Sequence, residues 1–427
     1  MYDNMTKKSQ PVKRRVVVTG LGLVTSVGND VSSTWEALLS GVSGSGTITQ
    51  FDPSELPVRF ASEVKDFDPT LYMDRKEIKR TDRFTRLALA ASAQAMRSAG
   101  FDDSKRPDVE PSRFGVLTGS GIGGIATLED QHRKLVERGA SKISPFFVPM
   151  FIADMAPGLI SMRYDAKGPN YTTVSACASS AHALGNAFNL IGDGVADMII
   201  AGGSEAAVTP LTMAGFASMR ALSFRNDSPE TASRPFDATR DGFVLGEGCG
   251  MVILEDLESA QARGAKIISE IIGYGQTADA YHMTAPAPEG EGAQRAMKLA
   301  LADAGLQPEQ VDYINAHGTS TPHNDATETL AIKHVFGDHA QSLVVSSTKS
   351  MTGHTLGAAG GVEFAVTSLI LSEGKIPPTI NFREEDPACD LNYAHNRMIE
   401  QKVNVALTNS FGFGGHNVCL ALRRWEE

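Results

Sequence analysis

The sequence predicts an α/β fold in which one order of strands and helices occurs twice. Glycine-bounded apolar runs such as 15–22 and 114–121 alternate with alanine-rich helical segments at 85–100 and 293–305. The strands are continuously apolar, which is typical of sheets covered by helices on both faces. Each alanine-rich helix precedes a strand with a glycine turn, after which come a further strand, a small-residue turn and an apolar helix. This repetition indicates an ancient duplication.

We predict three segments along the chain: a flexible tail at 1–14, a first half at 15–265 and a second half at 266–427. The tail is polar and basic and leads into no long apolar stretch, which argues against a secretory signal peptide. Two similar halves packed together would bring the turns at their strand ends into one shared cleft. The sequence therefore predicts a single functional site between the halves.

The composition excludes several classes of protein. Of 427 residues, 42% are hydrophobic, which is enough to bury a large core in one or two domains. A formal net charge of −11 disfavours nucleic-acid binding, because neutralising phosphates requires an excess of Lys and Arg. Glycine, serine or charge interrupts every apolar run before the roughly 18 residues of a membrane span. Four cysteines without a CxxC pair favour a reducing cytoplasm over a disulfide framework or a zinc ribbon.

Two glycine-rich loops raise the alternative of a nicotinamide-dependent oxidoreductase. The loop at 20–25, GLGLVT, lacks the last glycine of the dinucleotide fingerprint. The loop at 119–124, GSGIGG, matches it, but no second strand with an acidic end follows about 20 residues later. The sequence also contains no Walker lysine motif, GxSxG elbow or HExxH motif, so phosphate-loop NTPases, serine hydrolases and zincin proteases lack support.

The most informative stretch is VSACASSAHALG at 174–185, which places Cys177 at a strand-to-helix junction. The field of a helix N-terminus favours the thiolate form there and makes the sulfur a better nucleophile. The alternative is a small buried apolar residue, the commoner role of a single intracellular cysteine. His317 and His354 lie in glycine-flanked turns after strands of the second half, without metal-ligand spacing. We therefore predict that both histidines do acid–base or hydrogen-bonding work beside the cysteine.

A family resemblance is carried by the stretch around Cys177 and by NAHGTSTPHND at 315–325, STKSMTGHTLGAAGGVE at 347–363 and NSFGFGGHN at 409–417. Together with RPFDATRDGFVLGEG at 234–248, these segments resemble the decarboxylating β-ketoacyl-acyl-carrier-protein synthases, in particular their elongating type II branch. The resemblance extends from about residue 15 to the C-terminus. It implies a thiolase fold, in which two duplicated halves form a five-layered αβαβα sandwich, and it implies a homodimer.

The resemblance assigns the reaction to a small set of residues. Cys177 would take the acyl group from acyl carrier protein as a thioester, and the backbone N–H groups of Cys177 and Phe413 would form the oxyanion hole. His317 and His354 would donate hydrogen bonds to the malonyl thioester oxygen while CO2 departs. Lys349 would hydrogen-bond within the site and tune its charge, whereas taken alone it would be an exposed loop lysine.

The resemblance also implies groups that support the site. Glu363 would organise the histidine turns. A structural monovalent cation, Na⁺ or K⁺, would lie among four residues: Asn315, Glu363, Thr408 and Asn409. No other metal and no cofactor is implied, because the acyl groups travel on the phosphopantetheine of acyl carrier protein.

Substrate contacts follow from the same resemblance. Thr319 and Thr321 would bind the phosphopantetheine arm at the mouth of a tunnel. Ile122 and Phe216 would line the acyl pocket, although a plain core role fits their chemistry equally well. Phe413 would act as a gate that moves once the cysteine is acylated, because the glycines around it give the backbone freedom to move.

A basic stretch stands out in this acidic chain. In DRKEIKRTDRF at 74–84, positive side chains recur at helical spacing and would line one face: Arg75, Lys76, Lys79, Arg80 and Arg83. Such a face is usually only solvated. The strongly acidic carrier protein that the resemblance implies favours a docking surface instead. Further basic residues that would join this surface are Arg220, Lys134, Arg138 and Lys142.

Two histidines depart from the family pattern and leave the substrate preference open. His416 stands near the gate where the family usually has threonine, and His323 replaces an apolar residue beside Thr321. The predicted function is the elongating condensation of fatty acid synthesis, by a soluble cytoplasmic enzyme. The alternatives are a ketosynthase of polyketide-type or other secondary metabolism and a noncatalytic chain-length factor, which would lack the nucleophile that Cys177 supplies.

Overall fold

The computed structural model describes residues 13–101 and 107–426. The predicted flexible tail at 1–14 lies outside this part of the chain except for its last two residues. There the backbone N–H of Arg14 donates to the carbonyl oxygen of Gly192, and the Arg14 guanidinium pairs with Asp197 at 2.8 Å. The chain therefore contacts the first half before the predicted boundary at residue 15.

Strands and helices alternate as the sequence predicts. The described strands are β1 Val16–Val24, β2 Gly46–Thr47, β3 Phe60–Ala61, β4 Phe114–Gly119, β5 Asn170–Thr173, β6 Met198–Glu205, β7 Gly248–Asp256, β8 Ser269–Ala278, β9 Tyr313–Asn315, β10 Val344–Ser346, β11 Lys375–Ile376, β12 Ile399–Glu400, β13 Val405–Gly412 and β14 His416–Arg424. The described α-helices are α1 Val31–Leu39, α2 Arg75–Ile78, α3 Arg83–Ser98, α4 Ile125–Arg138, α5 Phe147–Phe151, α6 Met155–Tyr164, α7 Ser179–Gly192, α8 Pro210–Ser218, α9 Leu257–Ala262, α10 Glu291–Ala304, α11 Pro322–Phe336, α12 Lys349–Thr352 and α13 Ala359–Glu373. The two alanine-rich segments form α3 and α10.

Each half contains a five-stranded sheet with the same strand order. The order is β5-β4-β6-β7-β1 in the first half and β10-β9-β13-β14-β8 in the second. In both sheets the second strand in this order pairs in parallel with its two neighbours, and the fourth pairs antiparallel with its two neighbours. A short pairing of residues 16–18 with 269–271 joins β1 to β8. The topology confirms the predicted duplication.

The two sheets enclose a central layer of helices. Helices α7 and α13 lie between the sheets and contact strands of both halves. Helices α3 and α6 cover the outer face of the first sheet, and α10 covers the outer face of the second, with α11 packed beside it. The main hydrophobic core fills the space between the sheets and includes Leu184, Val252 and Phe364. This is the predicted five-layered αβαβα sandwich.

Small residues let the two central helices approach each other closely. A Cβ added to Gly360 of α13 would lie 2.9 Å from the Cβ of Ala181 in α7, which is tighter than normal van der Waals contact. The single helical turns that precede α7 and α13, Ala176–Ala178 and Leu356–Ala358, consequently meet at the boundary between the halves. The duplicated fold thus brings one turn from each half to the same place.

One segment corrects the expectation that no apolar run is long enough to span a membrane. Leu356–Glu373 is long and apolar enough by length and composition, but 83% of it is buried inside the protein. It comprises α13 and the turn before it. A helix that is apolar all round and enclosed by two sheets is the core helix of this fold.

Candidate active site

The cysteine lies in a strained turn at the start of a central helix. Cys177 is part of the turn Ala176–Ala178, between β5 and α7, and Ala176 has a φ of +50°, which is left-handed backbone in a residue other than glycine. The corresponding turn of the second half repeats this geometry, because Leu356 has a φ of +47°. Gly357 therefore occupies in the second half the place that Cys177 occupies in the first.

Two histidines of the second half face the cysteine. Nε2 of His354 lies 3.0 Å from Sγ of Cys177. The imidazole rings of His317 and His354 meet edge to face, with 5.4 Å between their centroids. One nitrogen of each ring and Sγ of the cysteine all lie within 4.8 Å of one another, and all three side chains are buried. The structure therefore brings together the three residues that the sequence singled out from different halves.

Hydrogen bonds indicate where each imidazole carries its proton. The backbone N–H of Leu356 donates to Nδ1 of His354 at 3.3 Å, so the ring proton lies on Nε2, the atom that faces Cys177. The Lys349 ammonium lies 3.5 Å from Nδ1 of His317, which favours the same tautomer in the second ring. Burial, and then the charge of Lys349, holds the pKa of each histidine well below its usual range. Both rings are thus neutral hydrogen-bond donors.

The same three atoms are close enough together to ligate one metal ion, but the proton positions oppose it. A metal ligand needs a lone pair on the coordinating nitrogen. Nε2 of His354 carries a proton as long as Leu356 donates to Nδ1. The set is arranged to donate hydrogen bonds rather than to bind a metal.

The protonation of the cysteine differs from the expectation. Burial raises the pKa of the Cys177 thiol to about 12, while the charge of Lys349 and the backbone N–H of Phe413 act in the opposite direction. Cys177 does lie at the start of a helix, but removal of the thiolate from water is the largest influence on its pKa. In the unloaded site burial therefore favours the protonated thiol, which is the opposite of the direction expected from the helix N-terminus.

Two backbone N–H groups face the sulfur. Those of Phe413 and of Cys177 itself both lie within hydrogen-bonding reach of the thiol. Gly412, the last residue of β13, allows this approach, since a Cβ there would lie 2.8 Å from the carbonyl oxygen of Ser175 and 3.2 Å from the nitrogen of Cys177. The glycines at 414 and 415 have φ values of +86° and +74°, which other residues rarely adopt.

A buried charge network supports the histidine turns. The ammonium of Lys349, which is 1% exposed, donates to the carboxylate of Glu363 and, at 2.6 Å, to the carbonyl oxygen of His317. Burial raises the pKa of Glu363 to about 7, and the charge of Lys349 opposes that rise. Glu328 of α11 accepts the backbone N–H groups of His317 and Gly318, both at 2.8 Å. The sequence analysis missed Glu328. Its only signal in the sequence is that an acidic residue lies on the apolar face of a helix, α11.

Four buried oxygens near this network have no hydrogen-bond partner. They are Oδ1 of Asn315, Oε2 of Glu363, Oγ1 of Thr408 and Oδ1 of Asn409. Asn315 and Thr408 are paired on the neighbouring strands β9 and β13, and Nδ2 of Asn315 lies 3.4 Å from the carbonyl oxygen of Glu363. Buried polar atoms without partners are rare in folded proteins. These are the residues that the family resemblance implies for a monovalent cation, and their unpartnered oxygens are the type of ligand that a hard cation takes.

A cavity of about 450 Å³ opens onto the cysteine. Predicted residues that line it are Ile122, Cys177, Phe216, Arg220, His317, Thr319, Thr321, His354 and Phe413. The hydroxyl groups of Thr319 and Thr321 lie 3.0 Å apart. The ring of Phe216 packs against Phe243, which in turn packs against His354, with 5.3 Å between centroids in each pair. Phe243 thus connects the predicted acyl pocket with a histidine and was missed by the sequence analysis.

The two departures from the family pattern lie at different places. His323 lines the mouth of the cavity, immediately after the first residue of α11. His416 begins β14 directly after Gly414 and Gly415, and its ring centroid lies 6.2 Å from that of His182. Burial, and then the charge of His416, lowers the pKa of His182 to about 4.

The basic stretch is not one continuous helix. Helix α2 covers only Arg75–Ile78, and α3 begins at Arg83. The Arg83 guanidinium turns inward and donates to the buried carboxylate of Glu247 at 2.7 Å, so its assignment to the docking face was wrong. Lys76, Lys79 and Arg80 remain exposed. Arg80 lies over the ring of Phe146 at 4.4 Å.

Fold and site together define a thiolase-fold enzyme with one cysteine and two histidines in a shared cavity. The chain belongs to the β-ketoacyl synthase family: the family described as "Beta-ketoacyl synthase, N-terminal domain" matches residues 13–260, and "Beta-ketoacyl synthase, C-terminal domain" matches residues 268–383. The predicted boundary at residue 265 lies between these ranges.

Individual relatives agree with this assignment. The chain is 56% identical to 3-oxoacyl-(acyl-carrier-protein) synthase 2 of Synechocystis sp. over 97% of its own length and 99% of the relative's. A β-ketoacyl synthase structure from Burkholderia phymatum superposes with a TM-score of 0.90 at 35% identity, covering 97% of this chain and 100% of that one. A chain from the structure of a type II PKS acyl-carrier protein in complex with its ketosynthase superposes with the same TM-score of 0.90 and the same coverage, at 34% identity.

Proposed function

We propose that the protein catalyses the decarboxylative condensation of acyl-acyl carrier protein with malonyl-acyl carrier protein in fatty acid elongation. The products are 3-oxoacyl-acyl carrier protein, CO2 and free carrier protein. The observation that carries the proposal is the contact of Sγ of Cys177 with Nε2 of His354 at 3.0 Å, beside His317 and beneath two backbone N–H groups. A nucleophile, an oxyanion hole and two neutral donors in one cavity are what this reaction requires.

The first step is transfer of the acyl group. Sγ of Cys177 attacks the thioester carbonyl carbon, a C–S bond to the cysteine forms, and the C–S bond to the carrier's pantetheine breaks. The N–H groups of Cys177 and Phe413 stabilise the negative charge on the carbonyl oxygen during the attack. Because the thiol is protonated before the reaction, its proton ends on the released pantetheine sulfur.

The second step uses the two histidines. The thioester oxygen of malonyl-carrier protein accepts hydrogen bonds from the ring N–H groups of His317 and His354, CO2 leaves, and the electron pair of the broken C–C bond forms an enolate. The enolate carbon attacks the acyl carbonyl on Cys177, and the C–S bond to the cysteine breaks. The cysteine leaves as a thiolate and regains a proton from solvent. Lys349 and Glu363 hold the His317 turn throughout.

A ketosynthase of a polyketide-type pathway is the second candidate. The similarity to the PKS ketosynthase complex supports it, but at 34% identity, against 56% to the Synechocystis relative. The difference favours fatty acid elongation. Ile122 and Phe216 line the acyl pocket in this proposal, Thr319 and Thr321 bind the pantetheine arm, and Phe413 acts as the gate.

Mass spectrometry of the intact protein tests the proposal directly. We expect an acyl adduct on the Cys177 peptide after mixing with acyl-carrier proteins of graded length, followed by 3-oxoacyl product and CO2 once malonyl-carrier protein is added. Preferential loading of polyketide intermediates over saturated acyl chains would support the second candidate instead. Absence of any adduct would exclude both.

Acyl carrier protein is the proposed partner, and Lys76, Lys79, Arg80 and Arg220 form the proposed docking surface. The type II PKS ketosynthase that this chain resembles is itself held in complex with an acyl-carrier protein. Lys76, Lys79 and Arg80 are exposed, and Arg220, which is also exposed, lines the cavity that contains Thr319. In this proposal the acidic carrier binds these positive side chains and its pantetheine arm reaches Thr319.

Charge reversal tests the docking surface. We expect that Lys76→Glu, Lys79→Glu and Arg80→Glu together raise the KM for acyl-carrier protein by about tenfold or more and flatten its salt dependence, because steering of an acidic partner is lost. The KM for an acyl-pantetheine substrate without carrier would stay unchanged. The matched control reverses three exposed lysines of the second half, Lys266, Lys298 and Lys402. An equal rise of the KM for acyl-carrier protein in the two triple variants would argue against a docking surface at Lys76, Lys79 and Arg80.

A homodimer is also proposed. The described sheet ends at β5, whose outer edge is left for pairing with another strand, and Tyr171 and Val174 beside that edge are exposed apolar side chains. A second copy of the chain in the cytoplasm would cover this edge.

A structural Na⁺ or K⁺ ion is proposed at the cluster of Asn315, Glu363, Thr408 and Asn409. Its support is the set of four buried oxygens without partners. When bound, the ion would supply positive charge that satisfies these oxygens next to the Lys349–Glu363 pair. The residues of the chain itself hold the histidine turns, and no metal takes part in the reaction.

Removal of one oxygen tests the cation. We expect KCl or NaCl to raise the Tm of the wild type by roughly 2–4 °C over tetramethylammonium chloride at equal ionic strength, since an ion that binds only the folded state stabilises it. Thr408→Val should abolish this increment at nearly constant volume. Thr85→Val is the matched control, because Oγ1 of Thr85 is also buried without a partner but lies in α3. Identical Tm values in all three salts would refute the site.

A further inference from the structure

A third buried glutamate, besides Glu363 and Glu328, lies close to the cysteine and takes no part in the reaction described above. Glu205 ends β6 and is completely buried. Its Oε2 accepts the backbone N–H groups of Gly121 at 2.6 Å and Gly357 at 3.0 Å. Its Oε1 accepts the Ile122 N–H at 3.1 Å and the Ser120 hydroxyl at 3.0 Å. The N–H of Gly123 contributes a further contact at 3.3 Å.

The five donors come from two different parts of the chain. Four belong to the loop at 120–123, which follows β4 and carries Ile122 of the acyl pocket. The fifth, Gly357, belongs to the turn that His354 enters, and it occupies the position equivalent to Cys177 in the duplicated half. One carboxylate therefore connects the acyl pocket of the first half with the histidine turn of the second.

The glycines around this carboxylate leave no room for side chains. A Cβ on Gly121 would lie 2.9 Å from Oε2 of Glu205, and a Cβ on Gly357 would lie 2.7 Å from the same atom. Both glycines have φ outside the left-handed region, so close approach rather than backbone freedom accounts for them. For Gly121 the approach is to the carboxylate, and for Gly357 it is first to the loop, since its Cβ would lie 2.1 Å from the backbone nitrogen of Gly121. The glycine loop that resembled a dinucleotide fingerprint in the sequence is thus built around a carboxylate of the protein itself.

We infer that Glu205 is a positioning residue that holds the acyl-pocket loop at 120–123 and the His354 turn in one fixed arrangement. This rests on the proposed condensing function. Burial tends to raise the pKa of the Glu205 carboxyl, and its N–H donors oppose that rise, as they do for any anion in a cradle of backbone N–H groups. Because the acyl chain passes Ile122 and the malonyl oxygen meets His354, displacement of this carboxylate affects both steps.

The charge of Glu205 also acts on the nucleophile: burial is the main cause of the raised pKa of the Cys177 thiol, and the negative charge of Glu205 adds a smaller rise. The negative charge disfavours a second negative charge on the nearby sulfur. Removal of that charge therefore makes the thiol easier to deprotonate even as it loosens the loop. A side chain that merely filled space would not have this opposite pair of effects.

Glu205→Gln tests the inference. The amide oxygen replaces only one carboxylate oxygen, and the amide NH2 group replaces the other. Because an NH2 group cannot accept from N–H donors, the hydrogen bonds to one of the two oxygens are lost. We expect condensation to fall about 10²-fold for long acyl chains and less for short ones, since a displacement of about 1 Å at a reacting centre costs that much. Alkylation of Cys177 by iodoacetamide should become faster and shift to lower pH. Mass spectrometry should show a single alkylated cysteine.

Two further variants keep the test decisive. Ser120→Ala removes one donor and leaves the carboxylate charged. We expect it to lower condensation of long acyl chains several-fold and to leave the pH dependence of Cys177 alkylation unchanged. Glu255→Gln is the matched control: Glu255 is equally buried but pairs with Met198 at the opposite end of β6, while Glu205 pairs with Gly248. It should leave chain-length profile and alkylation as in the wild type.

The outcomes separate this inference from the proposed function. If wild-type protein forms the acyl-Cys177 adduct and Glu205→Gln matches Glu255→Gln in chain-length profile and alkylation, the inference is wrong and the function stands. Uniform loss for all chain lengths with an unchanged alkylation profile would also overturn it, because that result describes a structural role alone. Failure of the wild type to form any adduct would refute the proposed function.

Discussion

Cys177→Ala is expected to abolish acyl transfer, lowering condensation by more than about 10³-fold, while CO2 release from malonyl-carrier protein continues. The acyl group needs a sulfur to form its thioester, and alanine offers none. Decarboxylation depends on the donors His317 and His354, which a smaller side chain at 177 leaves in place. Mass spectrometry of the acyl adduct and a radiolabelled CO2 assay measure the two steps separately.

Cys249→Ala provides the matched control for this variant. Cys249 is completely buried in β7, so its replacement removes a thiol and a similar volume at a place away from the cavity. It should keep both the adduct and the condensation activity. An acyl adduct that persists in Cys177→Ala would refute the assignment of the nucleophile, and loss of CO2 release in that variant would refute the separation of the two steps.

The duplicated fold was predictable because it depends on patterns that repeat along the chain. Apolar runs, glycine turns and alanine-rich helices recur in one order, and the two sheets have the same strand order. The convergence of Cys177, His317 and His354 followed from this repetition, since equivalent turns of two packed halves must meet. Motifs at strand ends therefore carried most of the information about the site.

Other features depend on geometry that no local pattern records. Glu328 and Glu205 lie on a helix and a strand with no motif of their own, and only the folded chain shows which backbone N–H groups they accept. Arg83 fits the periodicity of an exposed basic face but turns inward to Glu247. The protonated thiol of Cys177 reflects burial, which is a property of the assembled halves rather than of the residues around it.

Replacement of either histidine is expected to slow decarboxylation strongly while acyl transfer to Cys177 continues. In His317→Ala or His354→Ala one of two donors to the developing enolate oxygen is lost, which costs about 10²–10³-fold in CO2 release. Glutamine tests the nature of the role, because its amide N–H can donate but cannot act as a base at neutral pH. We therefore expect His354→Gln to recover part of the rate that His354→Ala loses, as measured by single-turnover CO2 release.

The pH dependence gives an independent check on the same role. Since burial and Lys349 hold the pKa of both histidines well below its usual range, the rings stay neutral and add no pH dependence to decarboxylation between about pH 6 and 8. The group of this network that titrates in the range is Glu363, whose pKa burial raises to about 7, so Glu363→Gln should level the rate. His132→Ala, which removes an exposed histidine of α4, serves as the control and should behave as the wild type. A rate that rises through this range in the wild type and still rises in Glu363→Gln, together with no recovery in His354→Gln, would mean that a histidine accepts a proton during decarboxylation. The tautomers inferred from the Leu356 and Lys349 contacts would then be wrong, because Nε2 would have to be the acceptor.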